Sequence, residues 1–319
     1  MSTVTLKELA KITGYSIRSV SRALKGQGGI GTGTSEQILS AACEVGYTPN
    51  VAARNLREKK SNFVGIIVPD NTLEVFGKKR LMLQYEYEKE GFYPVIGLFD
   101  KDHKRLKQTL CDWAGLVDTV VFMSWSETLD PERFLKGLPQ RFIFVDCPVY
   151  GSNLTTISVN RSTGIRTSIE QLIKKGHIRI ARCGNLRSSR SGFDHAFSGT
   201  DATNCEKLFI PTRSIEFSDG YSTGAALMEK KVDAVFFDTD RMALGFYKYA
   251  QENSISIPEQ IAVIGFDDDA AGQYAFPGLS TVSHPLKAIS RKTVELTKTS
   301  SSKAGQLTLD TKFIQRESS

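Results

Sequence analysis

Arg18 and Arg22 stand four residues apart, with Ile17 just ahead and Ser21 between them. On a helix this spacing places both guanidinium groups on one face. An arginine fork matches the O6 and N7 edge of guanine, so the pair has the chemistry to read bases in a major groove. No comparable set points to catalysis. Cys43, Cys111, Cys147, Cys183 and Cys205 are scattered without a C-x-x-C pair, which reads as free thiols in a reducing compartment. His103, His177, His195 and His284 lack metal-ligand spacing, so no metal and no other cofactor is expected. Neither G-x-x-x-x-G-K-[ST] nor G-x-S-x-G occurs. The glycine-rich run 26–33 does not follow an expected strand, which argues against a phosphate cradle.

Charge is concentrated where the arginines lie. Residues 1–60 carry nine Lys and Arg against four acids, whereas residues 61–319 carry 32 against 31. A basic head on a nearly neutral body fits a polyanionic partner for the head, although a merely solvated basic face gives the same imbalance. No apolar run approaches the roughly 18 residues that span a bilayer. The N-terminal residues show no basic segment followed by an apolar one, so a cytoplasmic protein without a membrane partner is expected.

The elements that must position the arginines are short helices. Thr5-Leu6-Lys7-Glu8 is a capping box opening a helix with Leu6, Leu9, Ala10 and Ile12 on its apolar face. Gly14 ends it, and Ser16 caps a second helix whose inner face is Val20, Ala23 and Leu24. A third is expected near 33–45, with Ile38, Leu39, Ala42 and Val45 inward and Thr32 as a substitute cap. Two short helices joined at a glycine match a helix-turn-helix, although a small bundle with an exposed basic helix shows the same spacing.

From Asn62 the period changes. Strands are expected at 63–68, 93–98, 119–122, 142–146, 177–181, 207–210, 234–237 and 261–266. Helices are expected at 77–91, 102–114, 163–175, 220–230 and 241–252. Continuous β-branched runs between helices indicate parallel sheets covered on both faces, as one large sheet or two halves. Such sheets bind ligands beyond the carboxyl ends of their strands. That makes Asp70, Asp100, Asp146, Asp238-Thr239-Asp240 and Asp267-Asp268 pocket candidates, against the plainer role of helix-capping acids.

The head resembles the DNA-binding domain of the lactose-repressor/galactose-repressor family of bacterial transcription regulators. The matching runs are Val4–Ala10, Val20–Leu24, Gly46–Asn50 and Ala53–Leu56. In the body they include Gly65–Asp70, Gly176–Ala181, Arg190–Phe193, Met242–Gly245, Ile264–Asp268, Leu279–Val282 and Arg316–Ser318. The resemblance implies a helix-turn-helix head at 1–60 with a hinge helix near 50–57. It also implies a two-lobed periplasmic-binding-protein-like body at 61–319. Lobe 1 would take about 61–157 and 286–304, and lobe 2 about 158–284 and 305–319. The chain would cross between them near 157–160, 283–286 and 303–306.

By the same resemblance, Ile17, Arg18 and Arg22 face base edges, while Thr5, Ser16, Ser21 and Asn50 hold phosphates. Ala53 joins the DNA contacts, and Leu56 is a wedge for a minor-groove step. Lys25, where the family has Asn, is read as a phosphate partner. The effector pocket would include Phe76, Asp146, Arg190, Phe217, Thr239 and Asp267. Thr239 stands where the family has an amide, and the segment before Gly220 is about two residues short. The implied protein is a homodimeric repressor on double-stranded operator DNA, controlled by a small polar effector such as a sugar. The competing classes are a sugar receptor with the same body and a cytoplasmic α/β protein or enzyme with an accessory nucleic-acid-binding head.

Overall fold

A computed structural model describes residues 4–26, 28–47, 61–70, 73–149, 151, 153–199, 202–299 and 305–319. The chain divides into two compact units, residues 1–61 and 62–319.

In the first unit, α1 (Leu6–Thr13), α2 (Ile17–Leu24) and α3 (Thr32–Glu44) enclose a small core of Leu9, Ala10, Val20, Ala23, Ile38 and Ala42. Helices of eight residues are marginal alone, so packing and caps must hold them. Glu8 Oε2 accepts the Thr5 N–H at 2.7 Å, while Thr5 Oγ1 accepts the Glu8 N–H at 3.3 Å. Gly14 closes α1 at φ 72°, and Ser16 caps α2 through the Ser19 N–H. Three expectations fail here. Ile12 and Leu39 are exposed, because the three-helix contact is narrower than the apolar stripes on α1 and α3. Thr32 is the first residue of α3 instead of its cap; Gly31 takes the cap position and offers no side chain.

Among the described residues, the second unit contains two six-stranded sheets. The first half of the chain supplies β1 (Phe63–Pro69), α4 (Glu74–Lys89), β2 (Tyr93–Phe99), α5 (His103–Asp112), β3 (Thr119–Phe122), α6 (Pro131–Leu135), β4 (Arg141–Val145) and β5 (Thr155–Asn160). Next come α7 (Arg161–Lys174), β6 (Arg179–Gly184), α8 (Arg187–Ala196), β7 (Glu206–Pro211), α9 (Phe217–Ser222), α10 (Gly224–Glu229), β8 (Ala234–Phe237), α11 (Asp240–Glu252) and β9 (Ala262–Phe266). The chain ends with α12 (Ala270–Tyr274), β10 (Ser280–Ser283), α13 (Leu286–Lys298), β11 (Gln306–Asp310) and β12 (Lys312–Ile314).

The first sheet has the order β11-β5-β4-β3-β1-β2 and is parallel throughout. The second has the order β12-β10-β9-β8-β6-β7 and is parallel except for β12, which pairs antiparallel to β10. Each sheet is covered on both faces, as its apolar strands require. The chain passes between sheets after Asn160, after Ser283 and at Thr311. The third passage thus lies beyond the expected 303–306, because β11 completes the first sheet by pairing with Thr156–Asn160. The helix expected at 220–230 is broken into α9 and α10 at Thr223. Among the described residues, no helix is long and apolar enough to cross a membrane.

Candidate functional site

In the head, α2 turns Val20 and Ala23 inward and leaves Ile17 and Arg18 exposed. Ser21 and Arg22 are half-buried, and Lys25 is exposed at the helix end. Arg22 does not project freely: its guanidinium donates to the Gly28 carbonyl in the loop after α2. Gly29 permits this approach, since a Cβ there would lie 2.7 Å from the Arg22 fork and φ is +92°. Thr5 and Ser16 stand at helix N-termini, where backbone N–H groups favour phosphate. Asn50, Ala53 and Leu56, with the expected hinge helix, lie outside the described residues.

In the body, Asp146 and Asp267 follow β4 of one sheet and β9 of the other. Both, and Asp268, have left-handed backbones, at φ 53°, 110° and 55°. Such conformations cost about 1–3 kcal/mol each and persist where the surroundings hold them. Asp146 is gripped from both sides. Arg161, opening α7, donates to its two oxygens at 2.7 and 2.9 Å, and Lys79 of α4 donates to Oδ2. Burial alone would raise the Asp146 carboxyl, but Lys79 and then Arg161 outweigh it and hold it well below the usual carboxylate range.

Asp267 has the opposite environment. His284 Nε2 lies 3.1 Å from Oδ1, while burial and the like charge of Asp269 push its carboxyl up to about 8. Burial, with Lys79 next, pushes the His284 imidazole well below its ordinary value. His284 Nδ1 is buried without a hydrogen-bond partner among the described residues, 3.8 Å from Asp146 Oδ2. Two further bonds join the sheets' elements: Ala270 N–H to Glu74 at 3.1 Å, and Lys78 to the Asp268 carbonyl. A cavity of about 620 Å³ opens alongside, with Asp267, His284, Lys78 and Gln273 in its wall.

Of the residues expected to bind effector, the structure brings together Asp146, Asp267 and Phe76, whose ring lies 5.3 Å from Lys79 Nζ. Thr239 is elsewhere. It caps α11, accepting the Met242 N–H and donating to the Ile215 carbonyl, so its hydroxyl is already satisfied. Arg190 is also apart from the cluster. Its side chain is 79% exposed, pairs with Asp194 at 3.3 Å and lines a separate cavity of about 370 Å³. Phe217 opens α9 and is exposed, its carbonyl so close to Gly245 of α11 that a Cβ there would collide with it.

Lys79, Arg161 and His284 were not among the expected residues. Lys79 had a signal: it interrupts the buried stripe Val75, Lys79, Leu83 and Tyr87 of α4, where an apolar residue would otherwise stand. Arg161 and His284 directly follow β5 and β10, at two passages between the sheets.

Residues 169–319 match a periplasmic binding protein-like domain. The HTH-type transcriptional regulator DegA of Bacillus subtilis (strain 168) is 27% identical over 301 residues, covering 89% of this chain and 87% of its own. The chain's relatives at this level of identity are regulators of the lactose-repressor/galactose-repressor family, among them the catabolite control protein A of Priestia megaterium, 25% identical over 298 residues. That family consists of DNA-binding transcription regulators, not enzymes. The fold agrees with solved structures of lactose-repressor/galactose-repressor proteins. The Lac repressor dimer bound to operator and the anti-inducer ONPF superimposes with a TM-score of 0.81 at 19% identity, covering 99% of both chains. The regulator CelR in complex with cellobiose superimposes with a TM-score of 0.68 at 22% identity, again over 99% of both.

Proposed function

We propose that this protein is a cytoplasmic, homodimeric transcription regulator, a repressor. Its head binds a near-palindromic operator, and its affinity for that operator changes when a small polar effector enters the cleft beside Asp146 and Asp267. The observation that carries this reading is α2. It buries one face and sets Ile17 and Arg18 outward on the opposite side, the arrangement a major-groove reader needs. The DNA role of Thr5, Ser16, Ser21, Arg22, Lys25, Asn50, Ala53 and Leu56 and the effector role of Phe76, Asp146 and Asp267 are part of the proposal. The cluster supports an effector cleft because it joins elements of both sheets, so a ligand there can bias their relative arrangement. Dimerisation draws support from exposed apolar side chains. Leu81 and Tyr85 lie on α4, and Ile96 and Leu98 on the edge strand β2. Tyr274 and Phe276 are 85% and 98% exposed. Exposed apolar side chains grouped on a helix and the strand it packs against fit an interaction face.

The test is selection of an operator from random duplexes, followed by sedimentation of the complex. Two chains per duplex and a steep loss of affinity with salt are expected. A complex containing one chain, or binding without sequence preference, contradicts the proposal.

A further inference from the structure

The charges in the cleft choose among small polar ligands. Lys79 and the Arg161 fork converge on the one carboxylate of Asp146, with side chains 3% and 24% exposed. The cations around them each have an acid of their own: Lys78 has Glu74 at 2.9 Å, Arg241 has Glu216 at 2.8 Å and Arg316 has Asp268. Asp269 lies in the field of Glu74, Lys78 and Arg241. Asp240 is occupied by the Thr281 hydroxyl at 2.6 Å and the Asp269 N–H at 2.7 Å. Asp267 engages His284, and its raised carboxyl keeps its proton at neutral pH. His284 adds no charge there, because its imidazole is pushed well below its ordinary value. Two cations therefore share the Asp146 carboxylate, Lys79 enclosed with it and Arg161 still partly open. A surplus buried charge is costly unless something pairs with it. His284 Nδ1, without a hydrogen-bond partner among the described residues, and the adjoining cavity walled by Asp267 and His284 mark where a ligand group would come.

We propose that the effector is a small organic anion, a sugar acid or a phosphorylated sugar. Its carboxylate or phosphate shares Lys79 and Arg161 with Asp146, while Asp267 and His284 meet its hydroxyls. The Arg161 fork suits paired anionic oxygens. Phe76, beside Lys79, offers a face for the carbon skeleton. This inference rests on the reading of the cleft as the effector site.

The experiment compares matched ligands on the full chain: galactose, galacturonate and galactose 6-phosphate; glucose, gluconate and glucose 6-phosphate; ribose, ribonate and ribose 5-phosphate. The readouts are affinity by calorimetry, the shift in melting temperature and operator binding. An acid or a phosphate should bind at least about tenfold tighter than its neutral parent, the size of one charge-assisted contact. Which arm responds distinguishes carboxylate from phosphate. Arg161→Gln should reduce that preference by about tenfold, and Arg161→Lys should restore part of it. A neutral sugar that binds as tightly as its charged derivatives and shifts operator binding, with its affinity unmoved by Arg161→Gln, overturns the anionic effector while the cleft reading stands. If ligands of neither charge alter melting temperature or operator binding, the cleft reading falls and the inference with it.

Discussion

The head and the cleft use charge in opposite ways. On α2 the Arg18 side chain, proposed to read bases, is exposed and would lose water only when DNA arrives. In the cleft Lys79, Arg161 and Asp146 are already desolvated, so their cost is met when the body folds. Exposed charges can be exchanged with little effect on stability, which lets sequence preference vary on a constant head. Buried charges are coupled to one another and to the fold, so changing one alters the site and its support together. DNA choice should therefore be separable from folding in the head, whereas ligand choice and stability should be entangled in the cleft.

The largest effect expected is at Asp146. Asp146→Asn leaves two buried cations facing a neutral amide and should destabilise the body by about 3–5 kcal/mol in urea unfolding. A loss below about 1 kcal/mol would show that water already reaches the cluster. Next is Arg18. Arg18→Ala should weaken the preferred operator by about 1–3 kcal/mol in a gel-shift titration and relax one base position. The same change should move the melting temperature little, since the side chain is exposed. If Arg18→Ala lowers stability as much as DNA affinity, the contrast fails on the head side.

A finer probe uses pH. The Asp267 carboxyl titrates at about 8 in the folded chain, against roughly 4 when unfolded. Between those values the folded state binds the extra proton, so this group's contribution to stability falls as pH rises from about 4 to 8. Asp146 has the opposite sign: its depressed value adds stability above roughly 4 that is lost as pH falls through and below that value. Asp267→Asn should flatten the decline in melting temperature on the alkaline side of pH 5. An unchanged profile would place its titration elsewhere. The smallest effect belongs to the Thr5 cap: Thr5→Ala should cost the head about 1 kcal/mol by thermal unfolding.

The same contrast explains how much could be read from sequence. The head's signals are local. Thr5 and Glu8, Gly14, Ser16 and the Val20/Ala23 spacing lie within a few residues of their partners, and the structure places each as expected. Ile12 and Leu39 escaped because amphipathic spacing says which face is apolar but not how wide the contact is. In the body, the uninterrupted apolar runs signal β1, β3, β8 and β9 directly. Short or polar strands such as β11 and β12 carry no such signal, and β11 therefore displaced the third crossing. Asp146 and Asp267 were legible as post-strand acids. Thr239 serves as a helix cap, a role that a post-strand hydroxyl fills as readily as a ligand contact. Arg161 could not be paired with Asp146 from sequence, since their contact depends on β4 and β5 lying side by side, which no local pattern signals.

The buried cluster is proposed to control the operator affinity of the head. The direct measurement is operator affinity of the full chain, with and without a saturating ligand identified by its shift in melting temperature, in the original protein and in Arg161→Gln. The account predicts that ligand changes operator affinity by roughly 5- to 150-fold in the original protein, the usual range of allosteric coupling. It also predicts that the ligand concentration required rises by about tenfold in the variant. An identical response at identical ligand concentrations in both proteins would contradict it.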